Sequence, residues 1–151
     1  GSGTGLNART LAPQVPRLTG VDVAMGALRE TRLATGGKAS VAQCSAVALP
    51  FRDRSYELVI SCGVAIHLPE GDLPAYFSEL ARVASRWVLL VEYEDTHRRM
   101  IPWHGIQDAL WADAFSVKFW TQQPEYAPTW RRKSSMRQSG VVRTRRGEPA
   151  R

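Results

Sequence analysis

A chain of 151 residues and 16.8 kDa has the size of one domain, which argues against a two-domain enzyme with a full substrate domain of its own. A hydrophobic share of 44% and a charged share of 23% are ordinary for a soluble globular protein, and apolar runs such as Trp87 to Val91 are far too short to span a bilayer. The net charge of +6 is uneven: residues 131–151 hold Arg131, Arg132, Lys133 and five further arginines against Glu148 alone, so the body is nearly neutral and the basicity belongs to a tail. Cys44 and Cys62 are too few for a disulfide framework. No signal peptide is visible, so the expected location is cytoplasmic.

Gly1 to Gly5 is a glycine-rich turn, and Leu6 to Ala12 has the composition of a short helix ending before Pro13 and Pro16. Arg17 to Val23 is a short β-branched strand ending on an acid. Ala24 to Thr35 then reads as an amphipathic helix, with Met25, Leu28 and Leu33 inward and Gly36 and Gly37 as its stop. Lys38 to Gln43 is a weaker strand. Tyr56 to Cys62 is a strong one, with the continuous apolar character of a strand covered on both faces. Asp72 to Ala84 brings Leu73, Phe77, Leu80 and Val83 or Ala84 to one side of a helix, with Asp72 as its N-cap and Pro74 in the first turn. Arg86 to Tyr93 is a buried strand. Beyond Glu94 the pattern predicts a loop through Gly105 and an aromatic-rich helix over Ile106 to Phe119. After Trp130 no core-forming period remains, which predicts a domain over 1–130 and a basic, flexible tail over 131–151. Alternating strands and helices predict an α/β layer fold with a parallel sheet and right-handed crossovers.

A glycine turn entering a helix brings backbone N–H groups close to a ligand, because glycine lacks a Cβ and accepts positive φ. Asp22, at the end of the next strand, can accept hydrogen bonds from two ribose hydroxyls or cap the helix that follows. A P-loop is disfavoured, since Leu6 and Asn7 stand where Lys and Ser or Thr are needed. A nicotinamide fingerprint stays open: Gly3 to Ala8 satisfies G-x-G-x-x-A, with Asp22 near the expected distance. The turn alone does not separate an NAD(P)-binding oxidoreductase from a methyltransferase.

Three ordered segments, GSGTGLNARTLA, LTGVDVA and SAVALPFRDRSYELVISCGVAIHLP, resemble the cofactor segments of class I S-adenosylmethionine-dependent methyltransferases. The resemblance implies a Rossmann-like methyltransferase sheet flanked by helices, with S-adenosylmethionine as cofactor. By position it assigns Gly1, Gly3 and Gly5 to the methionine part, Asp22 to the ribose, and Ser45 and Ala46 to the adenine, with Val23 and Cys62 as further cofactor contacts. Within that superfamily CGVAIHLP, the VEY at 91 to 93 and the downstream IPWHG and LWADAF look most like the methylases associated with pseudaminic acid biosynthesis. That likeness covers roughly residues 1–120 and implies a small-molecule acceptor, a sugar or nonulosonic acid intermediate. Two departures stand out. Ser45 occupies a position usually filled by an adenine-binding Asp, and cannot supply a carboxylate. The family's first strand and its acid precede the glycine loop, and the chain starts after both, so the sheet is expected to lack its first, central strand.

Methyl transfer is an in-line displacement for which a protein mainly aligns the reactants, excludes water and accepts a proton where the acceptor releases one. His67, five residues beyond Cys62, is the candidate general base; its alternative is to cap the turn beside Pro69. Glu92, Tyr93 and Glu94 end a strand and can orient an acceptor, or pair with Arg98 or Arg99; His104 is a candidate lid residue. The three histidines lack metal-site spacing, so no metal is expected. Cys44 and Cys62 read as small buried packers. Clustered tail arginines are the one argument for nucleic-acid binding through phosphate, which the lack of interleaved aromatics weakens. An inactive fragment is the remaining alternative.

Overall fold

A computed structural model describes residues 1–133 and 138–145, by backbone alone for Asp108, 127–133 and 138–145. The expected tail therefore lies in part, at 134–137 and 146–151, outside the described residues. The chain divides into two units, Gly1–Pro50 and Phe51–Arg151.

In the first unit, helix α1 (Leu6–Leu11) leads to strand β1 (Thr19–Asp22), helix α2 (Met25–Ala34) and strand β2 (Ser40–Gln43). Strands β1 and β2 pair in parallel, Thr19 opposite Ser40 and Asp22 opposite Gln43, so both carboxyl ends lie at one edge. Gly36 and Gly37, at φ 58° and 77°, close α2 through Gly37 N–H donating to Arg32 O at 2.8 Å. The face that α2 buries differs from the expected one. Leu28 and Thr31 are buried, whereas Met25 and Leu33 stay 44% and 74% exposed.

The second unit opens with strand β3 (Tyr56–Cys62), 3₁₀ turns at Ala65–His67 and Glu70–Asp72, helix α3 (Leu73–Val83) and strand β4 (Ala84–Tyr93). Strands β5 (Arg99–Trp103) and β6 (Ile106–Ala112), helix α4 (Phe115–Gln122), and strands β7 (Tyr126–Lys133) and β8 (Gln138–Arg145) follow. The main sheet runs β3-β4-β8-β7, parallel between β3 and β4 and antiparallel beyond. The buried side of α3 carries Leu73, Phe77, Leu80 and Val83, the stripe that the sequence predicts, joined by Tyr76 and Ala81. Phe77, Phe119 and Tyr126 stack edge to face at 5.6 and 5.7 Å, tying α3, α4 and β7 together. Tyr126, 1% exposed, donates its hydroxyl toward Ala81 O at 3.1 Å and Ala84 O at 3.3 Å, where α3 passes into β4. Tyr126→Phe leaves those buried carbonyls without this donor and is expected to lower stability by about 1 to 2 kcal/mol in urea unfolding.

Several expectations are corrected. Residues 99–112 form an antiparallel hairpin rather than loop and helix. Its two-residue turn is His104-Gly105, at φ 49° and 78°, and positive φ at both positions matches the natural twist of paired strands. Helix α4 begins only at Phe115. Residues 126–133 and 138–145 are strands, since antiparallel ladders, β8 on β4 and β7 on β8, satisfy the backbone whatever the side-chain pattern. Strand β3 lies at an edge of its sheet and leaves Leu58 44% exposed, so it is not covered on both faces. Asp72 makes no side-chain cap bond, because α3 is entered directly from a 3₁₀ turn. Among the described residues no helix is long and apolar enough to cross a membrane, and no group of three His, Cys, Asp or Glu can hold a metal ion.

Candidate active site

The glycine turn in the first unit is a folded cradle. Gly3 and Gly5 adopt φ 52° and 84°, conformations that side chains disfavour. A Cβ on Gly5 would lie 2.7 Å from Thr31 Cα, so the helix backbone passes too close for any other residue. At Gly3 nothing lies within 4 Å of the equivalent point, and the loop faces open space there. Ser2 N–H donates to Val21 O at 2.6 Å, fixing the turn to β1.

Asp22 joins this loop to the strand edge. Its Oδ2 accepts the Gly3 N–H at 2.9 Å and its Oδ1 the Ala24 N–H at 3.0 Å. Burial pushes its carboxyl up, but the N–H groups of Ala24 and Gly3 outweigh that, and the carboxyl sits below its ordinary range. Its bond to Ala24 combines the helix-entry role with a loop-organising one, and each oxygen keeps a lone pair for a further donor. Val23, 66% exposed, follows it, and Val23 O accepts from Gln43 Nε2 at 2.8 Å. Cys44 N–H donates to Asp22 O at 3.1 Å, which brings 44–46 beside the acid. Ser45 Oγ accepts the Val47 N–H at 3.4 Å, which leaves its hydroxyl hydrogen free to donate elsewhere. Gly1, Gly3, Gly5, Asp22, Val23, Ser45 and Ala46 therefore share one edge.

Thr31 has no place in the sequence reading. It is fully buried on α2, and its hydroxyl contacts Gly3 O at 2.9 Å and Ser2 Oγ at 3.2 Å, holding the loop from behind. The signal available was a polar residue three positions after Leu28, on the inward side of the helix.

In the second unit, Cys62 ends β3 opposite Val91, and Gly63, at φ 64°, turns the chain while its N–H donates to Val91 O at 2.9 Å. The 3₁₀ turn that follows ends on His67, whose ring is exposed. Its backbone N–H donates to Val64 O at 3.0 Å. Glu92 points inward and is 1% exposed. Its Oε1 accepts from Ser61 Oγ at 3.0 Å and Val64 N–H at 3.2 Å, and Ser61 makes a short hydrogen bond with the Tyr76 hydroxyl. Burial pushes the Glu92 carboxyl up to about 7, against the N–H and hydroxyl groups that favour its ionised form. Burial also pushes the Tyr76 hydroxyl well up, with Glu92 adding to the effect.

Tyr93 is half-buried, and its carbonyl accepts the Asp113 N–H at 3.2 Å. Glu94 accepts the Ser116 N–H at 2.6 Å at the start of α4. Arg98 and Arg99 pair with Asp113 and Asp95, at 3.2 and 2.5 Å. His104 sits in the hairpin turn, exposed, with its ring edge-on to Trp103 at 4.9 Å. Cys44 and Cys62 are free thiols and half-buried, less enclosed than packing residues were expected to be.

A family model described as a methyltransferase domain matches residues 1–86. No curated protein matches the chain. Among solved structures, a methyltransferase dependent on S-adenosylmethionine from Methanosarcina mazei is similar at 17% identity and a TM-score of 0.78, over 96% of this chain and 89% of that one. The 1,6-didemethyltoxoflavin-N1-methyltransferase of Burkholderia thailandensis, solved with S-adenosylhomocysteine, is similar at 13% identity and a TM-score of 0.76, over 96% and 68%. The [4+2]-cyclase SpnF is similar at 16% identity and a TM-score of 0.70, over 91% and 53%, so the shared fold does not by itself fix the reaction. The family match favours the methyltransferase over the nicotinamide reading of the glycine turn. The chain belongs to this methyltransferase-domain family and has the Rossmann-like fold of the class I S-adenosylmethionine-dependent methyltransferases.

Proposed function

We propose that this class I methyltransferase moves the methyl group of S-adenosylmethionine to a small-molecule acceptor, a sugar or nonulosonic acid intermediate. The observation that carries the cofactor side is Asp22, whose two oxygens hold the glycine loop and the entry to α2 while retaining lone pairs for ribose hydroxyls. The open space before Gly3 admits a ligand against the loop backbone, and Ser45 keeps a hydroxyl donor for an adenine ring nitrogen. These features fit the cofactor, which when bound supplies an electrophilic methyl group on sulfonium sulfur. The resemblance adds Cys62 as a further cofactor contact.

On the acceptor side, the turn after β3 presents His67, whose exposed imidazole is the candidate for proton removal from a hydroxyl or amine. Tyr93 and His104 are the acceptor contacts in this reading. The acceptor class rests on the resemblance to pseudaminic-acid-associated methylases, and the family's small-molecule members are consistent with it.

Calorimetry with S-adenosylhomocysteine tests the cofactor assignment. Wild type is expected to bind, and Asp22→Ala to weaken binding by about 1.5 kcal/mol or more, roughly tenfold. Preference for NADH in the same cell would overturn it. A radiolabelled-methyl assay over hydroxy and amino sugars tests the acceptor class, with no labelled product from any of them as the refuting result.

A further inference from the structure

Glu92 is the one group among the candidate acceptor residues that the structure turns away from solvent, and its surroundings are specific. It is the penultimate residue of β4, on the buried face with Val88 and Leu90. One oxygen gathers Ser61 Oγ and the Val64 N–H, and the N–H groups of Ala65 and Ile66 also engage the carboxylate. These are the first N–H groups of the 3₁₀ turn, which have no partner inside the turn itself. The other oxygen, Oε2, is buried and has no hydrogen-bond partner among the described residues. The carboxyl is thus unsatisfied in either state: ionised, it leaves a bare buried oxygen, and protonated, it weakens its hold on the N–H groups. Burial pushes the carboxyl up to about 7, while the N–H groups of the turn and the Ser61 hydroxyl favour its ionised form.

We propose that Glu92 is a positioning residue for methyl transfer, whose ionised carboxylate sets the turn at 63–67, and with it His67, and whose protonation slackens that turn. The proposal rests on the reading above, in which this turn faces the acceptor. Ser61 and Tyr76 complete the mount: Tyr76 from α3 anchors Ser61, and Ser61 aims at Glu92. The titratable groups around it come from several elements. Tyr76 lies on α3 and Cys62 on β3, and Cys62 acts electrostatically on Tyr76. His67 ends the turn itself. Glu94, just beyond β4, is engaged with Ser116, and Asp113 after β6 with Arg98 and Lys118. Strand β8 places Ser139 opposite Glu92 in register.

Nitrogen-15 NMR of the full chain from pH 5 to 9 tests the coupling through the amides of Val64, Ala65 and Ile66. In wild type the three are expected to shift together with one midpoint near neutrality. The same titration is expected in His67→Ala and Cys62→Ser, and none in Glu92→Gln, which keeps an acceptor oxygen but no proton equilibrium. Flat amides in wild type would overturn the proposal, as would an unchanged titration in Glu92→Gln or its loss in His67→Ala. With any acceptor that responds in the sugar assay, kcat should fall on the acid side with that midpoint while KM for S-adenosylmethionine stays constant. The acid limb should vanish in Glu92→Gln, and its persistence there would overturn the role in catalysis. Failure of S-adenosylhomocysteine to bind would remove the functional reading but leave the amide titration intact, so the two fail separately.

Discussion

Gly5→Val is expected to remove about 3 kcal/mol or more of stability and to abolish binding of S-adenosylhomocysteine. Two independent costs add at this position. The backbone sits at φ 84°, where an L side chain loses about 1 to 2 kcal/mol and a β-branched one more. The new Cβ would also fall 2.7 Å from Thr31 Cα, a backbone atom of α2 that no rotamer change moves, and 3.3 Å from Ala34 Cβ. Overpacking of this kind costs about 1 to 3 kcal/mol. Gly5 further supplies the carbonyl that accepts the Arg9 N–H at 2.9 Å, the first bond of α1, so the strain spreads into the helix that follows the loop. Gly3→Ala separates stability from binding. It bears a positive φ of 52° but meets no atom within 4 Å, so its folding cost is the conformational one alone, about 1 kcal/mol, while its Cβ projects into the space proposed for the cofactor. Urea unfolding and calorimetry on both variants give the comparison. A Gly5→Val protein as stable as wild type would show that the loop does not pack on α2 as described.

The parts of this fold that were legible in sequence are those in which a contiguous local pattern decides the structure. Strand β3 occupies the predicted residues because its run around Leu58-Val59-Ile60 favours a strand, and α3 buries the predicted stripe because four apolar residues recur at helical spacing. Elements specified by pairing were missed. The β5 to β6 hairpin turns on His104-Gly105, which lacks the Asn-Gly or Asp-Gly signature, and its aromatic flank mimics a helix. Strands β7 and β8 are rich in arginine, and their place in the sheet follows from the ladders of β8 to β4 and of β7 to β8, which composition does not encode. At the site, the glycine turn and Asp22 were visible because glycine and an acid are needed for reasons of backbone geometry and charge. Thr31 was not, since a hydroxyl counts as polar in any hydrophobic period while its partner, the Gly3 carbonyl, lies 28 residues away. Glu92 was noticed as a strand-end acid, without a face assigned to it. Its alternation with Val88 and Leu90 points it inward, and that period of two was the signal to read.

Asp113→Ala is expected to cost about 3 to 5 kcal/mol, more than an ordinary surface ion pair. The Asp113 side chain is 1% exposed and serves three donors. Its Oδ2 accepts from Arg98 Nη1 at 3.2 Å and Lys118 Nζ at 2.7 Å, and its Oδ1 takes the Ala114 N–H at 2.8 Å. Arg98 is itself only 14% exposed, lies 4.4 Å over the Trp111 ring and donates to Leu68 O at 3.0 Å, directly after the turn that carries His67. Removing the carboxylate therefore strands a largely buried guanidinium and loosens the segment it holds. Asp113→Asn keeps an acceptor oxygen and should lose less. Lys118→Ala should lose about 1 kcal/mol or less, because Lys118 is a third exposed and shares Asp113 with Arg98. The decisive variant is Asp113→Ala combined with Arg98→Met. Replacing the stranded cation by an apolar chain of similar length is expected to recover part of the stability lost in the single variant, the non-additivity that a buried charge pair produces. If the two losses simply add in urea unfolding, the Arg98 to Asp113 pair does not hold this corner, and the cost lies instead in the lost bond to Ala114 at the entrance to α4.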